Sequence, residues 1–236
     1  MVRSLTCILA GILLPALCLP AEAGPWGQPD KAAYGRFAVN RTEVEGLPGL
    51  RTDLYGEYGL SDRWTLTAKY ERVTFDEFSE FTASGWRTTL RRSFSLPDAW
   101  TASLEAGVLE GEAIGGAAGC QSTGAEARSG VGRSFTRGEG AKRRNGFWFA
   151  EAAVRAHSDG CQRYRLEAGY GREVTRNIWL VNQLWLDQGS ENARSLKYQF
   201  EYVWRRNAFD ISAGSLIELG GEFEEAGLFL ALARRF

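Results

Sequence analysis

The chain has little of what most catalytic and metal-binding proteins rely on. Its 236 residues hold one histidine and four cysteines, thin material for a metal centre. A charge excess is also missing: 28 Lys and Arg stand against 29 Asp and Glu, a net −1. Without a basic surplus nothing neutralises phosphates, so a nucleic-acid partner is not expected. No Gly-rich phosphate loop and no metal-spaced cluster is present, so no cofactor and no metal site is expected. Beyond residue 23 no stretch approaches the ~20 apolar residues of a transmembrane helix, which excludes a helical membrane protein. Proline is scarce at 6, while Gly 28, Trp 8, Tyr 8 and Phe 13 make a mix that suits strands.

The first residues read as an address. Arg3 gives a positive start, and Ile8 to Leu19 form an apolar run too short to span a bilayer. Ala21-Glu22-Ala23 then offers small residues where a signal peptidase reads, so residues 1–23 are expected to be a secretory signal cleaved after Ala23. Cys7 and Cys18 leave with it. Cys120 and Cys161 remain as an even pair in an exported chain, for which a disulfide is the default.

Residues 24–236 alternate apolar and polar side chains in segments of about ten, separated by turn residues. Leu196, Tyr198, Phe200, Tyr202 and Trp204, interleaved with Lys197, Gln199, Glu201 and Arg205, show it best. Such alternation reads as strands with two unlike faces. About twelve strands are expected at this segment length, centred near Phe37, Leu54, Ala68, Thr89, Leu104, Ser129, Ala152, Leu166, Val181, Phe200, Ala213 and Leu230. Their connections alternate in character. Ser61-Asp62, Ser95 to Asp98, Thr175-Arg176 and Arg205 to Asn207 are tight. Phe75 to Phe81, Glu110 to Thr123 and Asp187 to Ala193 are longer, and Thr136 to Asn145 breaks the rule as a long connection on the tight side. Short turns at one end and longer loops at the other are the habit of outer-membrane barrels. Both Cys120 and Cys161 fall on the long-loop rim.

The same period could build a soluble barrel with its faces reversed. Aromatic placement separates the two. Trp64, Trp100, Trp148 and Trp179 each open a strand after a tight turn, Trp179 with an inward register, and Trp204 closes a strand on that side. Trp64, Trp100, Trp148 and Trp204 are therefore the expected aromatic girdle at headgroup depth. The apolar face carries almost no charge, with Arg92, Arg172 and Arg234 as exceptions near tight-turn ends. Leu228, Leu230, Leu232 and a terminal Phe236 share one parity. This resembles the last-strand signal of bacterial outer-membrane β-barrel proteins, although Arg234 stands where an apolar residue is more usual. Gly160 to Arg165 and Trp179 to Asp187 are also similar to segments of uncharacterised exported proteins of Gram-negative bacteria. The resemblance implies an all-β fold, a transmembrane antiparallel up-and-down barrel in the outer membrane, delivered by the barrel assembly machinery and surrounded by lipid. It implies no activity.

That register sends Arg36, Arg51, Lys69, Arg87, Arg91, Arg128, Arg155, Arg163, Arg165, Lys197, Arg205 and Arg235 inward. It sends Asp53, Glu57, Glu71, Glu105, Glu126, Glu151, Glu167, Asp187, Glu201, Asp210 and Glu218 inward as well. The signs nearly cancel, which suggests ion pairs across a narrow interior rather than a one-signed selectivity ring. Arg87, Arg91, Arg155, Arg163, Arg165 and Lys197, with Glu105, Glu151, Glu167 and Glu201, are the candidate lumen lining. The arginines could guide a small polar solute, since guanidinium forks pair with carboxylate or phosphate, or simply brace the wall. His157-Ser158-Asp159-Gly160 holds the lone histidine. Outer-membrane lipid hydrolases separate their His and Ser by one residue; here the two are adjacent and would point to opposite faces of a strand. The segment is read as a turn, and no enzyme is expected. A narrow pore or passive transporter for small polar solutes is the leading expectation. A non-conducting structural or surface-interaction barrel stands second, and a lipid-acting hydrolase third.

Overall fold

The computed structural model describes residues 24–77, 82–111, 120–190, 194–206, 209–222 and 224–236. The expected signal segment, residues 1–23, lies outside the described residues, as do parts of the expected long loops. The described chain forms twelve strands: β1 Ala33–Val44, β2 Leu47–Ser61, β3 Trp64–Phe75, β4 Ala83–Ser95, β5 Trp100–Gly111 and β6 Gly124–Arg137 in the first half. The second half contributes β7 Arg144–His157, β8 Gln162–Thr175, β9 Ile178–Gly189, β10 Arg194–Arg206, β11 Phe209–Gly221 and β12 Glu225–Arg235. Each strand pairs antiparallel with the next, and β1 pairs with β12, Val39 opposite Leu230, so that the sheet closes. Every expected strand centre lies inside its strand.

Closure leaves no sheet edge, the condition for strands in hydrocarbon, where no water can serve an unpaired backbone group. The outer face is apolar and open: Leu104 is 59% exposed, Leu166 55% and Leu230 67%. A soluble barrel would turn such side chains inward. Here the inside is polar, with Arg87, Glu105, Glu126 and Arg155 all buried. The molecule is a transmembrane antiparallel barrel.

The rims differ as expected, with local corrections. Val44 and Leu47 on the long-loop side are joined by Glu45 and Gly46 alone, with φ of 52° and 76°. Two positive φ values give the mirror-type hairpin turn that matches strand twist, and glycine takes the second without strain. The connection expected from Thr136 to Asn145 is shorter. Thr136 pairs with Asn145 and Arg137 with Arg144, which leaves only residues 138–143 outside the ladder. Consequently Trp148 does not open β7; it is the fifth residue of the strand, and its ring meets Trp100 edge-on at 4.9 Å. Trp64, Trp100 and Trp204 flank short-turn connections as expected. Trp179 faces inward and is buried.

At the long-loop rim Cys120 and Cys161 form a disulfide, their Cα atoms 5.7 Å apart. It ties the connection before β6 to the one after β7. Asp159 stabilises the second by accepting the Cys161 backbone N–H at 2.9 Å.

Candidate functional site

Along each strand alternate residues enter the lumen, and the closed sheet stacks them in levels. The middle level is ionic. On the wall from β4 to β9, Arg87 meets Glu126 at 2.7 Å and Arg128 meets the same carboxylate at 3.3 Å. Arg155 is the third guanidinium on Glu126. Arg128 continues to Glu151 at 2.7 Å and Glu167 at 3.5 Å. Arg165 carries the chain from Glu167 to Asp187, each about 3.5 Å away, and Arg163 also reaches Asp187 at 3.4 Å. Arg91 of β4 bonds Glu105 of the adjacent β5 at 2.8 Å and, beyond β3, Glu57 of β2 at 3.0 Å.

The opposite wall has its own network. Arg51 bridges Glu71 at 3.3 Å and Glu225 at 2.7 Å. Lys69 bridges Asp53 and Glu71, both at 3.1 Å. Lys197 pairs with Glu225 and, at 3.7 Å, with Glu218. Arg36 bonds Glu201 at 3.1 Å. Between the walls lies a cavity of about 170 Å³ lined by Arg51, Lys69, Arg87, Arg155, Arg165, Glu167, Trp185, Gln199 and Glu201, among others. That is the size of engineered cavities that hold a benzene-sized molecule, about 150 Å³, but this one is polar.

Toward the short-turn end the lumen changes character. Phe147 and Phe149 of β7, Trp179 and Val181 of β9 and Val203 of β10 form a buried apolar cluster. Phe147 stacks on Phe149 at 6.4 Å and on Trp179 at 6.1 Å. The rings lie across β8, where Gly171 and Gly169 face them; a Cβ there would come within 2.1 Å of the Phe147 ring and 2.2 Å of the Phe149 ring. The segment before β1 then enters the barrel and completes the floor. Trp26 meets Phe147 edge-on at 5.7 Å and Phe149 at 6.3 Å. Arg91 donates to the Trp26 carbonyl at 3.0 Å, Ser93 Oγ to the Pro25 carbonyl at 2.9 Å, and the Gln28 N–H donates to Thr65 Oγ1 at 2.9 Å.

All of the candidate lining residues face this interior. Arg87, Arg91, Arg155, Arg163, Lys197, Glu105, Glu151, Glu167 and Glu201 are buried, and Arg165 is half-buried. Sequence reasoning missed Glu225, which holds both Arg51 and Lys197. It stands at the first position of β12, after a Gly-rich turn that hides the strand's start. Also missed were the inward Phe147 and Phe149, although they share the parity of Glu151, and the entry of Trp26. The reading of His157 as a turn residue is corrected: it ends β7 facing inward and buried, and the turn begins at Ser158. Its Nδ1 lies 2.8 Å from the Ser122 carbonyl oxygen, and Nε2 has no hydrogen-bond partner among the described residues. A hydrolytic pair would set a serine hydroxyl on that ring.

No protein-family model matches the sequence, and no curated protein matches it. Solved structures do. KdgM porin superposes with a TM-score of 0.57 at 5% identity, over 85% of this chain and 99% of that one. KdgM porin in complex with disordered oligogalacturonate gives 0.55 at 6%, over 85% and 99%. NanC porin gives 0.58 at 11% identity, over 84% and 98%. The fold is that of outer-membrane porins. At such identities the likeness concerns the barrel and says nothing of cargo.

Proposed function

We propose that the protein is a narrow porin-like channel of the Gram-negative outer membrane for small polar solutes, held in a closed state by the segment around Trp26. The observation that carries this reading is the charged cavity between the two ionic walls, a polar space in a barrel intermediate in bore between side-chain-filled and wide ones. Its lining alternates guanidinium and carboxylate groups, which suits brief, weak contacts with a polar solute better than tight retention. Fold likeness to porins supports a channel, and the solute class stays as broad as "small and polar".

The reading includes an exported chain, cleaved after Ala23, whose Phe236-bearing last strand is taken up by the barrel assembly machinery. It assigns no cofactor and no catalytic residue. A second reading, a non-conducting structural barrel, is favoured by the aromatic floor, because Phe147, Phe149, Trp179 and Trp26 together close the short-turn end.

Planar-bilayer recording separates the two. The channel reading expects discrete conductance steps from the refolded protein, larger or more frequent in Trp26→Ala. Silence of both proteins at every voltage and salt concentration would establish the structural barrel. Phospholipid hydrolysis abolished by His157→Ala would overturn both in favour of an enzyme.

A further inference from the structure

The outward arginines have no part in the lumen. Besides Arg172, which shares this face and rim, Arg92, Arg133, Arg137, Arg206 and Arg234 project from the outer face, these five all close to the short-turn rim and exposed. Each lies over an outward aromatic ring. Arg92 is 5.4 Å from the centroid of Trp64, Arg133 5.7 Å from Trp100 and Arg137 5.2 Å from Phe135. Arg206 is 4.7 Å from Trp204, and Arg234 is 4.6 Å from Phe236. A ring face holds a guanidinium through its quadrupole but accepts none of its five N–H bonds; Arg133 spends its Nε–H on the Asp98 carbonyl at 3.2 Å, and its terminal nitrogens stay available to an oxygen ligand.

No acidic side chain faces outward with them among the described residues at this rim. The acids nearby, Asp62, Asp98 and Glu139, are in the turns, and Glu173 bonds Asn145. The long-loop rim is built differently. There the outward Arg41 is paired with Asp76, and Glu43 and Glu110 face outward alongside Arg72 and Arg194. Among the described residues one rim mixes outward charges of both signs; the other carries outward cations at the end where lipid phosphates are expected.

We propose that the arginine–aromatic ring at the short-turn rim is a binding belt for anionic phospholipid headgroups of the facing leaflet. Trp and Phe set the depth, and each guanidinium offers forked donors to a phosphate. Five like charges gathered along one rim favour a net-negative lipid over a zwitterionic one. The inference needs the barrel to sit in a bilayer and is independent of whether it conducts.

The test is lipid retention by the full mature chain released from bilayers of mixed phosphatidylglycerol and phosphatidylcholine, read by native mass spectrometry. Wild type is expected to retain phosphatidylglycerol over phosphatidylcholine by about tenfold beyond their ratio in the bilayer, given the attraction each cation contributes near a surface. Joint Arg→Gln substitution at the five positions brings the ratio close to one, and joint Arg→Lys keeps most of the preference. If the Gln protein does not insert, wild type alone decides, because about 1 M NaCl screens the attraction and should erase the preference. Equal retention of the two lipids by wild type, or a preference that survives the Gln set or the salt, overturns the proposal.

Discussion

The lumen solves one problem in two ways, and its two levels are worth setting side by side. In the middle, charge meets charge across strands, and the packing leaves a cavity. At the short-turn end, rings interlock with Gly169 and Gly171, and the cleft that Trp179, Val181 and Val203 line there is only about 20 Å³. Ion pairs are directional and fixed at their heads, so they brace the wall at points and let water stand between them. Aromatic rings fill volume and exclude water. The ionic level is anchored on wall strands, and the entering segment touches it only where Arg91 donates to the Trp26 carbonyl and Gln28 to Glu57, so most of it opens only if the barrel distorts. The floor borrows Trp26 from a segment outside the wall, and what is borrowed can be withdrawn.

Breaking the ionic level should have the largest effect on stability. Glu126 serves Arg87, Arg128 and Arg155 at once. Glu126→Ala takes this carboxylate from buried Arg87 and Arg155, while Arg128 keeps Glu151 and Glu167, and is expected to lower unfolding free energy by about 3–5 kcal/mol, read as a shift in the urea midpoint of the barrel in detergent or lipid. A change below about 1 kcal/mol would mean the lumen is wet enough to treat these charges as surface pairs.

Breaking the floor should cost less and leak more. Phe147→Ala removes a ring that is 1% exposed and is expected to destabilise by about 3 kcal/mol. Trp26→Ala removes a half-buried ring from the segment rather than the wall, so about 2 kcal/mol or less is expected, together with increased bilayer current. If Trp26→Ala cost as much as Glu126→Ala, the segment would have to be counted as part of the wall, and the contrast between the levels would fail.

The two levels also differ in how far they could be read beforehand. Strand alternation reveals which face a side chain takes, so Arg87, Arg155, Glu105 and Glu201 could be assigned inward from sequence alone, and the even cysteine pair could be joined. Alternation says nothing of height, because height depends on strand tilt and stagger. Nothing in the spacing shows that Glu126, on β6, gathers arginines from β4 and β7. The floor was harder still. Trp26 lies outside any strand and carries no period, and Phe147 and Phe149 next to Trp148 read as one aromatic run until the pleat divides them between lumen and lipid. Glu225 escaped because Gly220 and Gly221 blur the start of β12.

Outside both levels sits the smallest expected effect, useful because it reports on neither. Asp159, in the exposed turn after β7, accepts the Cys161 N–H, and that bond together with hydrogen bonding to Ser122 holds its carboxyl below the usual aspartate range. A carboxyl lowered in the folded state adds stability that is fully present above its unfolded value, near pH 4, and is lost as pH falls through the lowered folded value. Amide exchange at Cys161 should therefore be slower in wild type than in Asp159→Ala at neutral pH, and the difference should close in acid. The ionic level is the same in both proteins and cancels in the comparison. Should the difference stay constant into acid, the bond does not depend on the charge of Asp159, and the turn is held by the neighbouring disulfide alone.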